Sequence, residues 1–368
     1  MTDVAVPSQT ISPPMHVAAE PLRVGLIGLN RLGWHLIERC LADGPFRVVA
    51  AYDVDPNCAS SNCASAAARL NVSVVSSITE LVASPNIDVA WIAHPIALRP
   101  AGLPSDLIEQ LLQHNKHVVV ETPLSLSTAD TDRLFALARE HGRHLLVHSP
   151  RHADDDIRRA ISVVNRTEFG IVRAVKWISW GYGLLPSSVQ SGSSHNSPAI
   201  GSDGSEESRV VLVRQMAHAL DQLVQLISHP PQRITTFGDL TRSKFADHSL
   251  DRDRNTSAIA AWIEFTNGAH AEIDIRLDSP AALQTGWVIQ SARGGYADGR
   301  QYSLTEDGEV FDSLASPLNF STGILDDLNR SLRANVIDDF ANIQTRATVR
   351  LLEAIFTAVV DLLIEVRR

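Results

Sequence analysis

Residues 21–53 read PLRVGLIGLNRLGWHLIERCLADGPFRVVAAYD. Arg23 to Ile27 is a short apolar run suited to a buried parallel strand. Gly28-Leu29-Asn30-Arg31-Leu32-Gly33 is the turn after it, and Gly33, Leu36, Ile37 and Cys40 then recur at helical spacing. Arg47 to Tyr52 is a second apolar strand, and it ends on Asp53. In such a unit the first glycine makes the tight turn and the last lets the helix pack on the strand. The helix N-terminus, here Asn30 to Gly33, offers unpaired N–H groups to the two phosphates of a dinucleotide. An acid about 20 residues further on, here Asp53, accepts hydrogen bonds from a ribose 2′-OH. A carboxylate there repels a 2′-phosphate, so the pattern predicts NAD in preference to NADP. The middle glycine of G-x-G-x-x-G is replaced by Asn30. Asparagine visits positive φ more readily than most residues, so the turn is kept, with an amide side chain beside the phosphates. The alternative is the same core with a turn that holds no ligand.

Working outward, further strand-like runs fall at Val72 to Val75 (a short edge segment), Asp88 to Ala93, His117 to Glu121 and His144 to His148. Helical stretches lie between them at Cys58 to Leu70, Ser105 to His114, and Ser127 to His141, the last opening on Ser127 as N-cap and closing at Gly142. Strands alternating with helices of this length predict an α/β fold with a right-handed, doubly wound parallel sheet, its ligand crevice at the strand C-termini. The residues just past those ends are the ones to read: Asn30, Asp53, His94-Pro95 and Glu121-Thr122-Pro123.

From about residue 150 the pattern changes. Arg151 to Asn165 reads as a connecting helix whose acidic start, Asp154 to Asp156, complements the helix dipole. Ile171 to Trp180 reads as a strand and Val210 to Ile227 as a helix. Gly181 to Ser208, rich in Ser and Gly without apolar period, is either a lid or disordered. Ile259 to Phe265, the Asn267-Gly268 turn and Ala269 to Leu277 form a hairpin. Its second strand alternates Ala269, Ala271, Ile273, Ile275 and Leu277 with His270, Glu272, Asp274 and Arg276, the signature of an antiparallel sheet covered on one face. Val336 to Arg367 closes the chain as an amphipathic helix.

A length of 368 residues accommodates two domains with their own cores, taken as 22–149 and 150–368 after a disordered tail at 1–21. A net charge of −10 argues against nucleic acid as a main partner. No apolar run reaches the roughly 18 residues of a membrane span, since Leu351 to Ile364 is broken by Glu353 and Asp361. The first 20 residues lack a basic start and a continuous apolar segment, so no secretory signal is expected. Three cysteines, Cys40, Cys58 and Cys63, make neither a disulfide framework nor a zinc site and fit a reducing cytoplasm. No metal cluster stands out.

Taken in order, RVGLIGLNRLG, VVAAYDVDP, DVAWIAHP, NKHVVVETPLSLSTAD, VRQMAHALDQL and AAWIEFTNGAHAEI resemble the Gfo/Idh/MocA oxidoreductases. The resemblance covers about residues 22 to 360. It implies an N-terminal NAD(P)-binding Rossmann domain and a C-terminal α/β domain with an open, mainly antiparallel sheet that often packs between subunits, hence a homo-oligomer. It also implies a small-molecule substrate, a sugar, polyol or related hydroxy or keto compound, with hydride exchanged with the nicotinamide. Such chemistry needs a proton acceptor with a pKa near working pH and a donor for the developing alkoxide. The family supplies them with the lysine of a Glu-Lys-Pro triplet and with an Asp and a His four apart on one helix.

This sequence departs from that set. The triplet is Glu121-Thr122-Pro123, so Thr122 stands at the lysine position; the helix reads Arg214-Gln215-Met216-Ala217-His218, so Arg214 stands at the aspartate position and His218 is kept, with Asp221 following. The Pro-x-x-x-His after the fourth strand reads Pro95-Ile96-Ala97-Leu98-Arg99. Losing a positioned acid or base costs roughly 10²–10⁴ in rate. Two readings follow. In one, Arg214 and His218 share a helix face at i, i+4, the cation keeps His218 neutral, and His218 is the base. In the other, His218 is a satisfied helix histidine and the chain is a catalytically silent NAD-binding or sugar-sensing protein. The family often has an Arg near the substrate where Arg151 stands, and Trp177 or Trp180 either stacks on a sugar ring or packs in the core.

Overall fold

In the computed structural model the described residues are 20–28, 44–52, 72–93, 103–149, 155–182, 204–239, 258–276, 278–284, 286–304, 310–314, 324–334 and 339–365. Strands β1 (Leu22–Ile27), β2 (Phe46–Tyr52), β3 (Ser73–Val74), β4 (Val89–Ile92), β5 (His117–Glu121) and β6 (Leu145–His148) form one sheet. Its order is β3-β2-β1-β4-β5-β6 and every pair is parallel. The central strands read as unbroken apolar runs because both faces are covered, and all four residues of β4 are buried. On one face α1 (Ile78–Ala83), α2 (Leu103–Gln113) and α3 (Thr128–Glu140) bring Leu81, Ile108, Leu111, Leu134 and Phe135 against Ile92, Val118 and Val120. Ser127 caps α3 by accepting from the Asp130 N–H at 3.3 Å, and Gly142, at φ +60°, follows the helix end. The strands and helices expected within 72–149 are therefore present, with ends shifted by one or two residues. The helices expected at 33–40 and 58–70 lie outside the described residues.

The second sheet is larger. It comprises β7 (Val172–Tyr182), β8 (Pro231–Asp239), β9 (Ala258–Phe265), β10 (His270–Arg276), β11 (Asp278–Gln284), β12 (Val288–Ser291), β13 (Gly294–Ala297), β14 (Arg300–Leu304) and β15 (Val310–Leu314). The order is β15-β14-β13-β12-β7-β10-β9-β8, with β11 also on β7. All pairs are antiparallel except β7 with β10. The predicted hairpin is β9–β10, and its alternation holds: Ala271, Ile273 and Ile275 are fully buried, whereas His270 and Glu272 are half-buried. Asp274 departs from the polar face by being 9% exposed, because Arg276 folds back on it at 3.2 Å.

Four further helices complete the described structure: α4 (Asp155–Val164), α5 (Gly204–Leu226), α6 (Ile324–Arg333) and α7 (Asp339–Glu365). Helix α5 lays Leu212, Met216, Ala217, Leu220 and Leu223 on the inner face of the second sheet, against Val175, Trp177, Ile273 and Ile275. It begins at Gly204 and not at Val210, and β7 runs through Gly181 and Tyr182. The expected structureless stretch at 181–208 is thus ordered at both ends, and residues 183–203 lie outside the described residues. Asp156 does more than face a helix dipole: it accepts from the Trp287 N–H at 3.0 Å and the Tyr296 hydroxyl at 2.6 Å, fastening α4 to the second sheet. Helix α7 bridges the two sheets, contacting α5 and β8 on one side and α3 and β6 on the other. Its Glu353 accepts from the Thr128 N–H and hydroxyl at the start of α3. Helix α6 brings Leu328 and Leu332 to the other face of the first sheet, beside Trp91, Val119 and Leu146.

Candidate active site

In the first sheet, successive crossovers run from β1 outward to β3 and then return across β1 to β4, so the direction reverses between β1 and β4. Ligands of open parallel sheets bind at the C-terminal ends of such a pair. Gly28 stands there. Its φ is +100°, a backbone conformation open to glycine and strained for other residues, and its N–H donates to the Tyr52 carbonyl at 2.8 Å. The Ala93 N–H donates to the Ile27 carbonyl at 2.9 Å, which brings the end of β4 level with the same point. This geometry fits a turn that admits a dinucleotide's phosphates. Asn30, Arg31, Leu32, Gly33, Asp53, His94 and Pro95, the other predicted cofactor residues, lie outside the described residues, as does Arg151.

The neighbouring strand ends are occupied by polar side chains that burial makes consequential. β5 ends on Glu121, whose register partner on β6 is His148. The next residue, Thr122, extends the ladder by donating its N–H to the His148 carbonyl at 3.0 Å, and the Thr122–Pro123 bond is cis. Glu121, Thr122, His148 and Ser149 are all buried. Helix α5 reaches this edge from the second sheet through two residues one turn apart. His218 is buried with Nδ1 at 3.4 Å from the Ser149 hydroxyl. Arg214, 36% exposed, donates from Nη2 to Glu121 Oε1 at 3.2 Å.

Glu121 is only 1% exposed. Burial pushes its carboxyl up to about 7; the charge and hydrogen bond of Arg214 pull the other way without overcoming it. Among the described residues Oε2 has no hydrogen-bond partner. A buried acid that titrates near neutrality, with one oxygen paired and the other not, can exchange a proton and can release its partner.

The structure thus brings together Thr122, Glu121, Arg214 and His218 from the predicted set. It redirects Arg214, expected as an electrostatic partner of His218, onto Glu121. Glu121 in turn was expected among the cofactor residues, and its carboxylate faces the helix cation. Trp177 is corrected: it is 3% exposed and stacked on Trp287 at 6.2 Å, in the core between α5 and the second sheet, and presents no ring face to a sugar. Trp180 has the Arg276 guanidinium over its ring at 4.7 Å. Ser149 was missed. It lies just past the end of β6, where the rule applied to the other strand ends would have found it.

Residues 22–149 match the family model described as "Oxidoreductase family, NAD-binding Rossmann fold". Among curated proteins, a dTDP-3,4-didehydro-2,6-dideoxy-alpha-D-glucose 3-reductase of Saccharopolyspora spinosa is 30% identical over 139 residues, 36% of this chain and 39% of that protein. A 1-carboxy-3-chloro-3,4-dihydroxycyclohexa-1,5-diene dehydrogenase of Comamonas testosteroni is 28% identical over 154 residues, 42% of this chain and 37% of that protein. The matched stretches therefore span well under half of these relatives. Among solved structures, biliverdin reductase from Synechocystis sp. PCC 6803, in complex with biliverdin and NADP+, superimposes with a TM-score of 0.68 at 18% identity, covering 92% of this chain and 99% of that one. That likeness extends the shared fold across both sheets. Residues 22–149, which hold the β3-β2-β1-β4-β5-β6 sheet, thus match the Gfo/Idh/MocA oxidoreductase family model, and the second, mostly antiparallel sheet completes the fold shared with the solved structure.

Proposed function

We propose that the chain is an NAD(P)-dependent oxidoreductase acting on a sugar, a polyol or a related small hydroxy or keto compound. One observation carries the reading: α5 delivers His218 and Arg214 onto the C-terminal edge of the parallel sheet, where β5 ends on Glu121 and Ser149 follows β6. The bound nicotinamide supplies the hydride acceptor or donor. Gly28 and the residues Asn30, Arg31, Leu32 and Gly33 would hold its phosphates, and Asp53 would hold the adenosine ribose, favouring NAD over NADP. His94 and Pro95, which follow β4 in the sequence, would complete the cofactor site. His218 takes the hydroxyl proton, with the Ser149 hydroxyl at 3.4 Å orienting its ring. Arg214 supplies the fixed positive charge that Thr122 lacks, and it cannot itself release a proton at neutral pH. Arg151 remains a candidate substrate contact. The names of the two curated relatives, a deoxysugar reductase and a dihydroxycyclohexadiene dehydrogenase, support a small hydroxylated ring as the substrate class.

The reading includes a cytoplasmic homo-oligomer built through the second sheet. Its support is the face turned away from α5, where Phe237 is 64% and Val288 40% exposed.

A panel of sugars and polyols assayed for formation of reduced nicotinamide tests the proposal. Turnover is expected, with a fall of roughly 10²–10⁴ in the His218→Ala variant. Unchanged turnover in that variant removes His218 from the mechanism. The second reading, a silent NAD-binding or sugar-sensing protein, is favoured by the engagement of Arg214 with Glu121, which offsets the site's cation. Cofactor binding without turnover of any panel member selects it.

A further inference from the structure

Resting on the placement of the substrate at the α5–β5 edge, we propose that Arg214 is the receptor for an oxyanion carried by the substrate, a carboxylate or a phosphate, which takes the guanidinium over from Glu121. The geometry of the pair points there. An arginine fully committed to a carboxylate makes two parallel bonds, fork to fork. Arg214 makes one, at 3.2 Å from Nη2 to Oε1, and no other hydrogen bond or ion pair of its guanidinium is found among the described residues. It keeps 36% of its side chain exposed while the carboxylate behind it is 1% exposed. The cation therefore has a buried side turned to Glu121 and an open side with donors to spare.

The internal partner is also a weak competitor. Glu121 has one oxygen without a hydrogen bond, and its burial already holds the carboxyl near neutrality with Arg214 beside it. Among the described residues, the titratable and charged groups facing it are His148, its register partner on β6, and Arg214 on α5, which donates to the carboxylate. When an incoming anion shares the guanidinium, the ionised carboxylate loses its support and takes up one proton from solvent. The exchange balances as one anion bound and one proton bound, with Glu121 neutral beside an arginine that keeps its single charge. Buried, neutral Glu121 then no longer competes for Arg214. The substrate class is thereby narrowed to acidic or phosphorylated hydroxy compounds, in contrast to neutral polyols.

The test is calorimetric titration of the full chain, with NADH present, using gluconate, glucose 6-phosphate and sorbitol in two buffers of different ionisation heat. Gluconate or glucose 6-phosphate is expected to bind more tightly than sorbitol, and the tighter of the two identifies which oxyanion the site takes. Above pH 7 binding takes up close to one proton, so affinity improves about tenfold per pH unit lowered and levels off once Glu121 is protonated. Glu121→Gln is expected to bind the anion more tightly than the parent above pH 7 and without proton uptake, a gain that misfolding cannot produce. Arg214→Gln is expected to lose the anion preference by roughly 10- to 100-fold. Equal affinity for sorbitol and both anions, no anion binding at millimolar concentration, or pH dependence kept in Glu121→Gln each overturns the proposal. Turnover of neutral polyols with no anion preference would sink it while sparing the oxidoreductase reading. Proton-linked anion binding without any turnover would do the reverse.

Discussion

Replacing Glu121 by glutamine isolates the electrostatic cost of the carboxylate at the end of β5. In the folded chain this carboxyl titrates near 7 against an ordinary value of 4.5, with burial as the main cause. The folded state therefore binds the proton up to a higher pH than the unfolded state does. Stability from this group is complete below pH 4.5, falls as pH rises towards 7, and is level above that. At about 1.4 kcal/mol per pH unit, the displacement from 4.5 to about 7 corresponds to about 3 kcal/mol. Glutamine has nearly the same shape and no charge, so its variant lacks this slope. Urea unfolding of both proteins at a series of pH values measures it, and subtraction removes every other titrating group. The parent is expected to lose up to about 3 kcal/mol relative to Glu121→Gln between pH 4.5 and about pH 8. Parallel curves would show that Glu121 is solvated or well paired, and would refute the description of the site as a buried, half-satisfied ion pair.

Other perturbations probe the scaffold. His117 is depressed from 6.5 to about 4 by burial first, then by His144 and Arg143, and its Nδ1 accepts the His144 N–H at 3.1 Å; NMR titration should find its midpoint near 4, and an ordinary midpoint would contradict this packing. Because its folded pKa is lowered, stability falls as pH drops from 6.5 towards 4, opposite in sign to the Glu121 effect. Gly294→Ala drives a methyl group into the Tyr302 carbonyl of the paired strand β14, and a loss of roughly 1–3 kcal/mol is expected in urea unfolding; an unchanged midpoint refutes the β13–β14 register. Gln222→Leu removes the acceptor of the buried Trp287 Nε1–H at 2.9 Å, and about 1–3 kcal/mol should be lost with a change in tryptophan fluorescence.

The first sheet could be read from the chain because its information is local. The central strands are continuous apolar runs, and α3 opens on its own cap at Ser127. The second sheet hid its middle. β12, β13 and β14 are four or five residues long, with two glycines in β13, and are held by pairing to β7 and to one another. Nothing in four residues distinguishes such strands from a loop. The first turns of helix α5 are hard to see in the sequence because residues 204–209, Gly-Ser-Glu-Glu-Ser-Arg, carry no apolar period; Glu206 and Glu207 in its first turn are the available signal. In the site, the i, i+4 relation of Arg214 and His218 was visible, since it lies within one helix. The pairing of Arg214 with Glu121 joins residues 93 apart through two sheets, and no sequence period reports it. The same applies to Ser149 and His218, 69 residues apart.

The proposed activity requires a dinucleotide to settle at the end of β1, against Gly28 and the residues that follow it. Titration of the full chain with NADH, followed by calorimetry and by thermal unfolding, tests this most directly. Saturable binding at one site per chain is predicted, with about 2.7 kcal/mol of stabilisation at a hundred times the dissociation constant. No heat and no change in unfolding temperature with NADH or NADPH at millimolar concentration would contradict it.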